Sequence, residues 1–214
     1  MYLRHNGTQE VLGDLRGISQ PTVSRIVTEL VPLIKTVLEE FVPSAAEAIE
    51  MVKGRVCLVD GTITPCWSYA EHNELWSRKH GTTGFNAQLV SLLDGMPVYI
   101  SDPLPGKTHD KAAFDETPVA EIVRNSGGGL GDKGYQGTIL VTPRKKPRGG
   151  ELSKRDKESN AEISALRAAI ERVVSHFKNW RIFHTDYRRP YSTYRDSYDA
   201  ARGLFFFSIT WGFE

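Results

Sequence analysis

The sequence has few cysteines, no long hydrophobic run and almost no net charge. Two of the 214 residues are cysteine, Cys57 and Cys66, too few for a disulfide framework or a cysteine zinc cluster and typical of a reducing compartment. The longest apolar stretch, residues 203–213, is about half as long as a spanning helix. The N-terminus lacks the apolar segment of a signal peptide. We therefore expect a soluble, intracellular protein with no membrane partner.

The charged residues are unevenly distributed along the chain. Lys and Arg number 27 and Asp and Glu 26, and the composition as a whole is that of an ordinary globular protein. Residues 142–189, however, carry thirteen basic and six acidic side chains, whereas residues 1–50 carry four basic and seven acidic ones. The basic segment is a candidate surface for a polyanion, or else a solvated loop and helix face, and charge alone does not decide between them.

The first fifty residues predict a group of helices. A short helix over 8–15, a turn at Gly17 and a second helix over 20–30 fit a helix-turn-helix frame, and a third helix is expected over 31–41. In such a frame the N-terminal end of the second helix enters the major groove of DNA. The candidate DNA contacts are Gln20, Thr22, Ser24 and Arg25. The alternative is a helix pair that only packs.

From residue 55 the pattern changes to strands. Residues 56–59 are apolar on both faces and predict a buried strand that ends at Asp60-Gly61. Strands over 85–92 and 97–101, joined at Asp94-Gly95, predict a hairpin. The rest predicts a helix over 109–125, a short strand over 130–132, a basic loop over 142–153, a long amphipathic helix over 154–180 and a helix over 194–210. This order predicts an α/β fold, a mixed sheet flanked by helices.

Three acidic residues stand where α/β proteins expose functional groups. Asp60 and Asp132 follow predicted strands, and Glu171 lies with Arg167 and Lys178 along one border of the apolar face of the long helix. If the carboxylates converge, a divalent cation would compensate their repulsion, and oxygen ligands favour Mg²⁺ or Mn²⁺. Taken singly, each carboxylate is also explained as a turn former, a helix cap or an ion-pair partner.

Four motifs occur in a fixed order. They are Asp60-Gly61-Thr62, Pro105-Gly106-Lys107-Thr108-His109-Asp110, Gly131-Asp132-Lys133-Gly134-Tyr135, and a helical set with Asn160, Arg167, Glu171, Arg172 and Lys178. Between Asp132 and Glu171 lie 38 residues. Over roughly residues 55–182 this order resembles the DDE-superfamily transposases of bacterial insertion sequences, including the branch similar to the eukaryotic harbinger elements. One departure is Ser164, where some branches have a tyrosine.

The resemblance implies a fold and an activity. The expected fold is a ribonuclease-H-like catalytic domain over 51–214, preceded by a helix-turn-helix region over 1–50. Asp60, Asp132 and Glu171 would form a metal triad for Mg²⁺, with Mn²⁺ able to substitute. Enzymes of this kind cut the terminal inverted repeats of their element and join them to target DNA. A homodimer and a place in the bacterial cytoplasm, at the nucleoid, are implied as well.

The resemblance also implies roles for several basic residues. Lys178 would contact DNA near the cut, and Arg167 would orient Glu171 or hold a phosphate. In the basic loop, Lys145 and Lys146 would approach phosphates. We interpret His109 and Asp110 as a turn and a helix start rather than as catalytic residues.

Two other functions stay open. A ribonuclease-H-like endonuclease that cuts without joining would use the same triad. A non-catalytic DNA-binding relic of a transposase is the other alternative, since the family usually has more sequence upstream and the chain resembles a truncated copy.

Overall fold

The structure is a computed structural model that describes residues 1–212. Its α-helices are α1 (Tyr2–His5), α2 (Gln9–Arg16), α3 (Gln20–Leu38), α4 (Ala45–Val52), α5 (Asp110–Glu116), α6 (Val119–Arg124), α7 (Lys154–Lys178) and α8 (Tyr194–Thr210). Its strands are β1 (Cys57–Pro65), β2 (Trp76–Ser77), β3 (Thr82–Leu92), β4 (Pro97–Ile100), β5 (Leu104–Pro105) and β6 (Gly129–Leu130). None of the helices in residues 1–212 is long and apolar enough to cross a membrane.

The strands form one mixed sheet around β1 and β3. These two strands pair antiparallel along nine residues, from Cys57 opposite Leu92 to Pro65 opposite Gly84. The short strands β2, β4 and β5 all pair antiparallel with β3, whereas β6 pairs parallel with β1 on the other side. The predicted turn at Asp94-Gly95 is confirmed, and Gly95 takes the positive φ of 90° that favours glycine.

Both faces of the sheet are covered, which explains the uninterrupted apolar start of β1. Side chains alternate between the faces of a strand. Accordingly, Leu58 belongs to a hydrophobic cluster with residues of α3, α7 and α8, whereas Val59 belongs to a second cluster with residues of α4, α5 and α6. Asp60 follows the alternation and shares its face with Leu58, the face that α7 covers.

Two helix predictions have the wrong helix boundaries. No third helix begins at residue 31, because α3 continues to Leu38 with Pro32 inside it. The buried residues Val27 and Val31 keep this face of α3 against the core across the proline, and tertiary packing outweighs the lost hydrogen bond. Conversely, the helix predicted over 109–125 is two helices, α5 and α6, separated at Thr117 and Pro118.

The prediction that β1 ends at Asp60-Gly61 is also wrong, since the strand continues to Pro65. The backbone of Gly61 pairs normally with Gln88 of β3, so Asp60 and Gly61 lie within the strand. The helix predicted over 194–210 is confirmed with the same bounds, and the long helix is confirmed with its end at Lys178.

An ion-pair network joins α3 to α8. Asp199 is almost fully buried, and its carboxylate accepts hydrogen bonds from Arg195 at 2.7 Å and from Arg202 at 2.9 Å. Lys35 of α3 lies 3.6 Å from Asp199 and 2.8 Å from the more exposed Asp196. Arg202 is nearly buried as well, and its charge is balanced by Asp199 together with the more exposed Asp102 at 3.0 Å.

We predict that Asp199→Asn lowers the free energy of unfolding by about 3 kcal/mol, because it removes the buried carboxylate that Arg195 and Arg202 share and leaves Arg202 with only the more exposed Asp102. The matched control is Asp196→Asn, which removes an exposed partner of Lys35 and should cost less than about 1 kcal/mol. Urea unfolding of the three proteins measures both values. Equal costs for the two variants would contradict the assignment of Asp199 as the centre of the network.

Candidate functional site

Asp60 stands in the middle of β1 with its side chain mostly buried under α7. Its Oδ1 accepts a hydrogen bond from the backbone N–H of Gly61 at 3.0 Å, and its Oδ2 lies 3.4 Å from Nη2 of Arg167 on α7. Arg167 is itself only 11% exposed, and its buried Nε has no hydrogen-bond partner. The buried carboxylate of Asp60 is thus balanced by a single cation at 3.4 Å, and the guanidinium of that cation is not fully hydrogen-bonded.

Burial is not fully compensated by that cation. Loss of hydration raises the pKa of Asp60 to about 6, against the lowering effect of Arg167, and the neighbouring Asp132 raises it further. Ionisation of Asp60 therefore lowers the stability of the folded protein, and additional positive charge beside the carboxylate would stabilise the ionised form.

Asp132 reaches Asp60 through the parallel pairing of β6 with β1. Leu58 lies opposite Leu130 in this pair. Asp60 comes two residues after Leu58, and Asp132 comes two residues after Leu130. The side chain of Asp132 caps a short 3-10 helix, with Oδ1 accepting from the backbone N–H of Gly134 at 2.7 Å. The two predicted aspartates are therefore brought together.

Asp110 is a third carboxylate beside Asp60 and Asp132, and its position in the sequence predicted only a helix start. It does begin α5, as predicted, but its side chain is buried, and Oδ2 lies 2.6 Å from Nζ of Lys79. A Cβ on Gly134 would collide with Oδ2 of Asp110 and lie 2.8 Å from Oδ1 of Asp132. A Cβ on Gly61 would lie 2.9 Å from Oδ1 of Asp110. Because both residues are glycines, the carboxylates can occupy the space in which a Cβ atom would otherwise stand.

A chain of buried hydrogen bonds holds the elements around the three aspartates. The hydroxyl of Tyr135 donates to Oε1 of Gln88 at 2.6 Å, and Gln88 donates to Oδ1 of Asn86 at 2.9 Å. Asn86 in turn donates to the carbonyl of Thr108, just before Asp110. Burial raises the pKa of Tyr135, and Asp110, Asp60 and Asp132 raise it further, so this hydroxyl stays a donor.

Glu171 is the predicted triad member that the structure does not bring into contact with the aspartates. It is exposed on α7, one turn after Arg167. Lys178, further along the same helix, is partly buried; burial lowers its pKa, and Asp60 opposes that shift. This border of α7 therefore faces the aspartates. Within residues 1–212, however, no three His, Cys, Asp or Glu side chains are arranged to hold a metal ion.

The donor atoms at the site, though not their present arrangement, are those that a hard divalent cation prefers. The donors are carboxylate oxygens, the ligand type that Mg²⁺ and Mn²⁺ prefer. The positive charge that these oxygens require is supplied by two side chains, Arg167 on Asp60 and Lys79 on Asp110. Burial lowers the pKa of Lys79 while Asp110, Asp132 and Asp60 raise it, and the net shift is upward.

The predicted DNA contacts on α3 lie on two of its faces. Gln20 and Ser24 line a groove with Arg188 and Arg189, two cations that the sequence analysis did not single out. Thr22 and Arg25 lie elsewhere on the helix and are hydrogen-bonded to each other at 3.3 Å. The signal for the two missed cations was the basic excess of residues 142–189, which includes both.

The basic loop is attached to α7 through Asn160. Its amide accepts from the backbone N–H of Arg144 at 2.8 Å and donates to the carbonyl of Arg144 at 3.0 Å. Lys145 and Lys146 are both exposed, and Lys146 pairs with Glu151 at 2.8 Å. In the described part of the chain the two predicted phosphate contacts therefore differ in this ion pair and not in their exposure.

Comparisons with known proteins confirm the family that the order of motifs resembles. Residues 59–202 match the family described as DDE superfamily endonuclease, and residues 1–40 match the helix-turn-helix of that superfamily. The first match covers more than half of the chain, and the chain belongs to the DDE superfamily of endonucleases.

Two similar proteins are named as transposases of insertion sequences. One, for element IS112 of Streptomyces albus G, is 29% identical over 183 residues, which cover 85% of this chain and 66% of that protein. The other, for element IS702 of Microchaete diplosiphon, is 25% identical over 217 residues, which cover 97% of this chain and 77% of that protein. The chain thus spans about two thirds of the first relative. No solved structure matches the chain at a significant level.

We predict that the effect of Asp60→Asn on the free energy of unfolding shifts in favour of the variant as pH rises. The folded carboxyl has a pKa of about 6 against 3.8 as its ordinary value, so the parent protein loses stability between pH 4 and pH 6 and the asparagine variant does not. The free energy of unfolding of the variant minus that of the parent should rise by about 1–3 kcal/mol from pH 4 to pH 7. Urea unfolding in EDTA measures it, and a difference independent of pH would contradict the buried charge.

Proposed function

We propose that the protein is a DNA transposase that cuts the terminal inverted repeats of an insertion sequence and joins them to target DNA, with Asp60, Asp132 and Glu171 as its metal-binding triad. One observation carries the proposal: Asp60 and Asp132 follow matched positions on two neighbouring parallel strands. Membership of the endonuclease superfamily and the names of the two relatives support the same activity.

The proposed catalytic fold is ribonuclease-H-like and occupies residues 51–214. The order of β4, β3, β1 and β6, with three antiparallel strands and one parallel strand, supports it. Residues 1–50 would form the DNA-binding region, which the helix-turn-helix match over residues 1–40 supports. The two regions share one hydrophobic cluster, in which Val23 and Val27 of α3 join Phe205 of α8.

Asp60, Asp132 and Glu171 would hold Mg²⁺, or Mn²⁺ in its place. When bound, such ions activate an attacking hydroxyl and stabilise the leaving oxygen of a phosphodiester. The contribution of the chain is to place two carboxylates at fixed strand positions and to keep Glu171 on a rigid helix. Arg167 would leave Asp60 and orient Glu171, one turn away on α7, or hold a phosphate.

Several surfaces support DNA as the partner. Lys178 lines a cavity of about 570 Å³ whose other walls include four basic side chains, namely Arg4, His5, Arg181 and His184. This position beside α7 suits a phosphate near the cut. The groove that Gln20 and Ser24 share with Arg188 and Arg189 would take duplex DNA of the terminal repeats, with Thr22 and Arg25 as further contacts.

Self-association is a further part of the proposal. Ile26, Leu30, Leu33 and Val37 form an exposed apolar stripe along α3 with alternating spacings of four and three residues. This spacing is that of helices that pair side by side. A homodimer would hold the two ends of an element, and we place it at the nucleoid in the bacterial cytoplasm.

We predict that Asp60→Asn, Asp132→Asn and Glu171→Gln each reduce Mg²⁺- or Mn²⁺-dependent nicking of DNA carrying the element ends by at least about 100-fold, since loss of outer-shell partners alone costs 10- to 100-fold. DNA binding in EDTA should persist. The matched controls are Asp94→Asn, which removes a surface partner of Arg55, and Glu162→Gln, which changes an exposed glutamate of the same helix.

Full nicking activity in any one of the three variants would remove that residue from the triad. Nicking without joining in a strand-transfer assay would favour the endonuclease alternative. Absence of nicking in the parent, with DNA still bound, would favour the non-catalytic relic.

We predict that Lys145→Gln weakens binding to all DNA sequences alike and lowers the slope of log affinity against log salt by about 1, as expected for one lost phosphate contact. Lys146→Gln should have a smaller effect, because Glu151 already neutralises Lys146. Lys53→Gln, outside the loop, is the control. Binding titrations at several salt concentrations measure the slopes, and equal slopes for parent and Lys145→Gln would leave the loop without a DNA contact.

A further inference from the structure

A small cavity adjoins the three aspartates, and nothing in the proposed triad uses it. Its volume is about 320 Å³, at the lower end of small-molecule pockets. Lys79 and Asp110 belong both to its lining and to the aspartate site. The other lining residues that matter here are one tryptophan and two cations: Trp76, Arg78 and Lys107. We refer to this cavity as the Trp76 pocket.

The fold forces the indole of Trp76 outward. Trp76 and Ser77 form the short strand β2, and their side chains alternate, so that Ser77 is buried and Trp76 is 49% exposed. The preceding Leu75 is fully buried and anchors this segment. A large aromatic face is therefore held at the mouth of a cavity rather than in the core.

The cations of the pocket come from two segments that are held close together. Arg78 and Lys79 lie in the turn between β2 and β3, which Gly81 closes with a hydrogen bond to Ser77 at 2.8 Å. Lys107 follows Gly106, where a Cβ would collide with the carbonyl oxygens of Leu75 and Gly84. The backbones are thus in contact, and the pocket is formed without a ligand.

The charges in the pocket favour an anion. Lys79 is bound to Asp110, which neutralises the carboxylate of the lining. Arg78 and Lys107 are exposed, and neither makes a salt bridge in the described part of the chain. Hydrogen bonding to its own backbone chiefly lowers the pKa of the nearby Glu74, and Lys107 contributes to lowering it, so that carboxylate offsets part of the charge of Lys107. An aromatic face beside two exposed cations is the combination that binds single-stranded nucleic acid, through base stacking and phosphate contacts.

We propose that the Trp76 pocket binds one unpaired nucleotide of a DNA strand, with its base stacked on Trp76 and its phosphates against Arg78 and Lys107. The inference rests on the proposed function, because it requires a DNA strand next to the aspartates. A paired base in a duplex has both faces covered by its neighbours, so only an unpaired base offers a face to the indole. Lys79 and Asp110 connect the pocket directly to the cleavage site.

The test compares two DNA probes in EDTA, where no cutting occurs: a short blunt duplex and the same duplex with a single-stranded overhang. The parent should bind the overhang probe more tightly by roughly 5- to 150-fold, the range that one stacked base contributes. Trp76→Ala should abolish this preference, and Trp76→Phe should retain most of it. The control Trp211→Ala, which removes a more exposed tryptophan outside the pocket, should leave the preference unchanged.

A fluorescent base analogue in the overhang gives a second readout, since its emission falls when it stacks on an aromatic ring. The parent and Trp76→Phe should quench it, and Trp76→Ala should not. Equal binding of both probes by the parent, or an undiminished preference in Trp76→Ala, would overturn the proposal. This binding test contains no metal, so its outcome does not depend on the separate nicking assay with Mg²⁺ or Mn²⁺, and the two proposals can fail independently.

Discussion

The negative charge of Asp60, placed in the middle of the central strand and covered by α7, is the constraint on which the rest of the site depends. A carboxylate that loses its hydration must find positive charge, and here one comes from Arg167 at 3.4 Å. The compensation is incomplete, because the pKa of Asp60 still rises to about 6. The parallel strand β6 then adds Asp132 beside it, and the buried Asp110 requires its own cation, Lys79.

This arrangement suggests what the two cations do before DNA and metal arrive. Arg167 and Lys79 keep the three carboxylates from repelling one another, so the site exists in the metal-free protein. A divalent cation would take over part of this compensation and free Arg167, whose Nε is buried without a partner, to act one turn further along α7 at Glu171. Activity and stability are then opposed at Asp60, since the ionised form that a metal needs is the costly form in the folded protein.

Local patterns predicted much of the fold, and the failures share one physical origin. The apolar runs of β1 and β3, the hairpin turn and the spacing along α7 and α8 are local signals, and the elements they predict are present. The helix start expected at residue 31 and the strand end expected at Gly61 are both absent: Pro32 lies within a helix that the core holds together, and Gly61 leaves room for the distant Asp110. For the site, the pairing of Asp60 with Asp132 followed from the motif order, whereas the burial of Asp110 and its bond to Lys79 depend on contacts between segments far apart in sequence.

We propose that Asp60, Asp132 and Glu171 converge on bound metal, and X-ray diffraction from crystals soaked in Mn²⁺, with the ion located by its anomalous signal, would show whether they do. We expect a peak between the carboxylates of Asp60 and Asp132, Arg167 displaced from Asp60, and Glu171 turned toward the ion. A peak elsewhere, or no peak with Arg167 still paired to Asp60, would contradict this proposal.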